Sequence, residues 1–147
     1  MKSHIELVKD WLLKCPFLES KEIKTEFLEA DDNKSQYSLE QNSIPNSLVK
    51  GNILGTKLNG MLSFTLAGRY DFDTITDTEN NENIKTIENI AEWIMLQEMA
   101  KNYPTMNDDE LVKGLSITQS PFLYGVDKGQ NYSRYQFSFQ ITYEKRV

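Results

Sequence analysis

One histidine, His4, and one cysteine, Cys15, are all that this chain of 147 residues offers toward imidazole or thiol chemistry. A thiolate nucleophile needs a base or a cation beside it to lower its pKa, and no histidine is near Cys15 in sequence. Cys15, next to Pro16, is therefore expected to be a small buried hydrophobe. His4 is expected to be a solvent-exposed side chain close to a fraying terminus. One histidine and one cysteine give zinc or another transition metal no ligand set. A lone cysteine also excludes an intramolecular disulfide, so the fold does not rely on an oxidising compartment.

Oxygen chemistry fares little better. The stretch Asp71-Phe72-Asp73-Thr74-Ile75-Thr76-Asp77-Thr78-Glu79 places carboxylates at alternate positions, as hard-cation sites do. It lacks the glycine of an EF-hand turn and has no bidentate glutamate at the required offset, so it reads as a solvated charge run. No two of the 22 acidic residues stand out as a glycosidase pair. Gly51-Asn52-Ile53-Leu54-Gly55-Thr56-Lys57 has neither the Gly-Lys-Ser/Thr order nor the following helix of a phosphate-binding loop, and reads as a turn between strands. The expected catalytic, cofactor-binding and metal-binding sets are each none.

The elements that would have to position any site are easier to read. Tyr135 to Tyr143 alternates large apolar or aromatic residues with small polar ones, without glycine or proline. That period of two predicts a strand with one buried face, and packing explains its aromatic ladder better than base stacking does. Ser3 and Glu6 form a capping box for a first helix carrying Ile5, Leu7, Val8, Trp11 and Leu12, which Pro16 should end. A second helix is expected from Ile84 to about Asn102, before Pro104. Its apolar face is Ile84, Ile87, Ile90, Ala91, Ile94 and Met95, widened by Trp93, Leu96 and Met99.

Further strands are expected at Ile23 to Ala30, Tyr37 to Gln41, Gly60 to Leu66 and Leu115 to Thr118, with Arg69 to Asp73 continuing in extended form beyond Gly68. Thr74 to Asn83, the stretch around Leu48-Val49, and Pro121 to Gln130 are expected to be loops. Helix, strands, helix, strands is the order of an α+β fold: a mainly antiparallel sheet with two helices packed on one face, in a single domain over residues 1–147.

Composition narrows the function class. The formal charge of −6 opposes nucleic-acid binding, which needs clustered Lys and Arg. No window approaches the run of about 18 apolar residues that a membrane span requires, and the opening segment is charged and amphipathic rather than signal-like. The expectation is a soluble protein made in the cytosol.

The order of segments resembles the phage minor capsid and tail terminator family. The likeness rests on Tyr37-Ser38-Leu39-Glu40-Gln41, a strand leading to Arg69-Tyr70-Asp71, and an Asn-rich stretch entering a Trp-bearing helix that closes near Pro104. It continues in Leu115-Ser116-Ile117 and in a last strand with Tyr135-Gln136-Phe137 and Ile141-Thr142-Tyr143. Where such proteins carry an Asp-Gly turn before the middle strand, this chain has Asn59-Gly60, which suits the same hairpin geometry.

The resemblance implies a virion structural protein that needs no cofactor. It would form a homo-hexameric ring on the end of the tail tube, stop tube polymerisation and join the tube to the neck. Its partners would be the tail tube protein and a neck or head-completion protein, at the tail/neck junction of a virion assembled in the host cytoplasm. It would contact neither membrane nor specific nucleic acid. The alternatives are a head–tail adaptor and, from another class, a small-ligand-binding α+β domain.

Overall fold

A computed structural model describes residues 2–18, 23–25, 37–43, 48–51, 55, 57–71, 77–127, 129 and 132–146. Its elements run α1 (His4–Leu12), β1 (Ile23–Lys24), β2 (Tyr37–Asn42), β3 (Leu48–Gly51), β4 (Lys57–Asp71), α2 (Asp77–Ala100), β5 (Glu110–Asp127) and β6 (Tyr132–Arg146). The strands form one mixed, mostly antiparallel sheet in the order β1-β2-β4-β6-β5, with β3 also paired to β4. Among the described residues, only β1 and β2 pair in parallel. β2 and β3 lie one after the other on the same edge of β4, opposite Ser63–Gly68 and Leu58–Gly60 respectively.

The alternation of β6 sets the sheet's two faces. Phe137, Phe139 and Ile141 stand opposite Leu66, Phe64 and Leu62, and all six are buried. The rings of Phe64 and Phe139 stack at 5.6 Å. These residues share one hydrophobic cluster with Val8, Trp11 and Leu12 of α1 and Ile87, Ile90, Ala91 and Ile94 of α2. From the central pair, the cluster takes only even positions of β4 and odd positions of β6, so both helices cover the same face. Trp11 and Trp93 close the seam between the helices, 5.0 Å apart. The α+β class and the two-helix layer are as the sequence implies.

The helix ends follow local chemistry. Ser3 caps α1, its Oγ accepting from the Glu6 N–H at 3.4 Å. At the end of α2, Asn102 N–H donates to Gln97 O at 2.9 Å and Lys101 N–H to Glu98 O at 3.2 Å. This is a Schellman pair, with Lys101 at φ 57° in the position that usually favours glycine.

Several boundaries differ from the sequence expectations. Asp77–Asn83 is not loop but the opening of α2. The strand at Ile23 covers Ile23–Lys24, and 26–30 lie outside the described residues. Leu48–Val49 belongs to β3 rather than a loop. Asn59 and Gly60 make no hairpin; they sit inside β4, paired with Glu144 and Tyr143. Gly60 is there because a Cβ would lie against the Tyr143 ring, 2.6 Å from its Oη. Gly68 does not interrupt the strand either: Tyr37 and Tyr70 close over it, leaving 3.0 Å for a Cβ.

The largest difference is β5, expected as a strand over Leu115 to Thr118 and a loop from Pro121. It runs unbroken for 18 residues, Pro121 included. Four register shifts against β6 absorb its irregular sequence, and an edge position with bulges is where a strand tolerates proline.

Candidate functional site

His4 is not a free, fraying side chain. Its Nε2 lies 2.7 Å from Glu110 Oε2 and 3.0 Å from Oε1, tying the first turn of α1 to the first residue of β5. The Glu110 side chain is only 2% exposed, and its Oε1 also accepts from Asn107 N–H at 3.3 Å and Asn107 Nδ2 at 3.0 Å. The Tyr143 ring packs against the imidazole at a centroid distance of 5.5 Å. Burial, and secondarily the Glu110 carboxylate, push the Tyr143 phenol up from its ordinary value. The group is a folded tether in which Glu110 holds both His4 and Asn107.

Cys15 is fully buried, and burial pushes its thiol up despite the backbone N–H groups of Phe17 and Leu18. That is the reverse of what nucleophilic activation requires. Beside it, Tyr37 and Tyr70 share a hydrogen bond at 3.1 Å between their hydroxyls, and Tyr135 meets Tyr70 edge-on at 5.9 Å. Desolvation drives the Tyr70 phenol far above its usual range and raises Tyr37 and Tyr135 as well. These phenols stay neutral and structural.

Of the acidic stretch, Asp71 ends β4, Asp77 and Glu79 belong to the opening of α2, and 72–76 lie outside the described residues. Among the described residues, no three His, Cys, Asp or Glu side chains converge as a metal site would require. Of the glycine-rich stretch, Gly51 ends β3, Lys57 begins β4, and Gly55 adopts φ 69° in open space.

The sheet and α2 also present surfaces. On the sheet face away from the helices, hydroxyls and amides bond across four strands. Asn42 Nδ2 donates to Ser63 Oγ at 3.1 Å and to Thr65 Oγ1 at 3.0 Å. Thr65 meets Ser138 Oγ at 2.9 Å, and Ser138 Oγ donates to Gln119 Oε1 at 3.3 Å. Arg134 bridges Glu40 at 3.1 Å and Gln136 at 3.1 Å, with its guanidinium 5.2 Å from the Tyr124 ring centre. This ladder locks the register of β2, β4, β6 and β5 without apolar cover.

Two features face outward. Among the described residues, β5 is the last strand of the sheet, with β6 its only strand neighbour. Near its start the Leu115 N–H donates to Glu98 Oε2 of α2 at 2.9 Å. Farther along, Leu123, Tyr124 and Val126 are exposed. On α2, Met95, Leu96 and Met99 are 53%, 50% and 79% exposed, against full burial of Ile87, Ile90 and Ile94. Met95, expected in the core face, and Leu96 and Met99, expected to widen it, project from the core instead, whereas Trp93 packs against it as expected. The signal lay in the arc: Leu96 stands about 200° around the helix from Ile94, too far to reach the same sheet.

Neither a protein-family model nor a curated protein sequence matches the chain.

Proposed function

We propose that this chain is a virion structural protein that forms a homo-hexameric ring, caps a phage or phage-derived tail tube, and joins it to the neck. The observation that carries the reading is two groups of outward-facing apolar residues. They are Met95, Leu96 and Met99 on one helix and Leu111, Leu123, Tyr124 and Val126 on the edge strand. Scattered apolar residues are ordinary on any surface, but grouped along one helix and one sheet edge they mark protein contacts. The groups most apt for chemistry, His4 with Glu110 and Cys15 beside the tyrosines, are absorbed into structural packing. The resemblance of the strand and helix segments to tail terminators names the kind of assembly.

The ring acts by complementarity alone. Docked on the tube end it occupies the growing interface and offers no equivalent surface above. The chain's net charge of −6 suits a ring through which DNA passes, because a like-charged wall repels phosphates and yields no counterion-release gain. Purified protein added to polymerising tail tube protein is expected to give tubes that stop growing and carry a ring at one end, seen by electron microscopy. Tubes that lengthen unchecked with bare ends would remove the reading.

A further inference from the structure

The sulfur atoms of this chain divide sharply between inside and outside. The sequence holds five methionines and one cysteine, and all but Met1 fall among the described residues. Cys15 is fully buried and its thiol is pushed up by burial, so it does not supply the thiolate that oxidants attack first. Met106 belongs to the core at 7% exposure. Met61 is half-buried in β4, and its Sδ accepts from Gln140 Nε2 at 2.8 Å, which occupies a sulfur lone pair. Met95 and Met99 differ from all of these. They are 53% and 79% exposed and stand one turn apart on the same side of α2.

The fold fixes this outward placement. Ile87, Ile90, Ala91 and Ile94 are buried in the core, so α2 cannot roll to cover the two methionines without exposing that row. Their neighbours are held elsewhere: Trp93 against Trp11 at 5.0 Å, Gln97 by Asn102 at 2.8 Å, and Glu98 by the Leu115 N–H at 2.9 Å.

We infer that Met95 and Met99 form a paired site of reversible oxidation, at which hydrogen peroxide converts both thioethers to sulfoxides while the fold is kept. A sulfur lone pair attacks one peroxide oxygen, and the S–O bond forms as the O–O bond breaks. The departing hydroxide takes the proton from the transferred oxygen and leaves as water, so sulfur loses two electrons and the peroxide gains them. The product is polar and chiral. It puts a strong hydrogen-bond acceptor at each end of an apolar group that includes Leu96, and burying such an acceptor without a donor is costly. The consequence rests on the ring reading: oxidised chains lose the contact made by this face of α2 and cap tubes poorly, and reduction of the sulfoxides restores them.

The folded chain is treated with hydrogen peroxide, the excess is removed with catalase, and oxygen uptake is mapped by mass spectrometry of tryptic peptides. Cleavage after Lys57, Arg69, Lys85, Lys101 and Lys113 puts Met61, the Met95 and Met99 pair, and Met106 on separate peptides. Met99 is expected to react fastest and Met95 next, each about tenfold or more ahead of Met61 and Met106, because susceptibility follows exposure. The far-UV circular dichroism should not change. Oxidation of Met61 or Met106 at the rate of the pair would overturn the site. In the tube-capping assay, the ratio of capping after peroxide to capping before it is expected to fall about tenfold or more for the wild type. It should recover after treatment with methionine sulfoxide reductases for both epimers, and it should stay unchanged in a chain carrying Met95→Leu and Met99→Leu. A wild type that caps equally well with both sulfoxides present would overturn this control and leave the ring reading standing. A reduced wild type that never caps would overturn the ring reading and the control with it, while the peptide map still decides the oxidation site.

Discussion

Ile94 and Met95 are neighbours on α2 with opposite fates, and substituting each by alanine measures the helix–sheet interface directly. Ile94 is fully buried against the sheet, whereas Met95 is 53% exposed. Ile94→Ala deletes three carbons, worth about 2.4 kcal/mol at roughly 0.8 kcal/mol per buried methylene. Incomplete collapse around the deletion adds to this, so the expected loss is about 3 kcal/mol, within the range of about 2–5 kcal/mol for such changes. Met95→Ala at an outward position should stay within about 0.5 kcal/mol. Urea titration followed by far-UV circular dichroism gives both values, provided that the m-value is unchanged. An Ile94→Ala loss below about 0.5 kcal/mol, or equal losses at the two sites, would mean that this helix face is not core.

Gly60→Ala forces a Cβ against the Tyr143 ring and should cost about 1–3 kcal/mol by thermal or urea unfolding; an unchanged midpoint would show that Tyr143 does not rest there. Tyr37→Phe leaves the buried Tyr70 hydroxyl without its 3.1 Å partner and should cost about 1–3 kcal/mol in the same assay. Because burial raises the Tyr70 and Tyr37 phenols above their usual 10.0 in the fold, the folded state holds these protons more tightly than the unfolded one. Their contribution is complete below pH 10 and is lost as pH rises beyond it, so stability should fall on the alkaline side; a flat profile there would contradict the buried tyrosine cluster. Lys101→Gly removes a side chain from a backbone at φ 57° and should stabilise by about 0.5–1 kcal/mol, since its ion pair with Glu98 is exposed and weak. A destabilised variant would argue against the Schellman end.

How far the sequence reaches can be judged element by element. β6 was legible because its alternation is long and uninterrupted, and the core faces of α1 and α2 followed from helical spacing. β5 was not. Bulges at four places break its period of two, and Pro121 reads as a loop unless the strand is known to lie at an edge. Asn59-Gly60 looked like a hairpin turn, and Gly68 like a bulge or a close approach within a strand; local sequence does not reveal that Tyr143, Tyr37 and Tyr70 are what close over these glycines.

The same limit applies to the surfaces. Nothing near His4 in sequence points to Glu110, which is 106 residues away. The grouping of Lys57, Lys113 and Glu144 joins three strands whose register only the fold supplies. Met95, Leu96 and Met99 were visible as apolar residues, and the error lay in assigning them inward. A sheet covers only the arc of helix that it touches, so an apolar arc wider than that arc indicates a second surface.

The most direct test of the account is the number of copies of this chain bound per tail tube, measured by quantitative mass analysis over tubes of different lengths. The account predicts six copies, each of 17.1 kDa, on every capped tube whatever its length. A bound amount that grows in proportion to tube length, or no bound protein on tubes that have stopped growing, would contradict it.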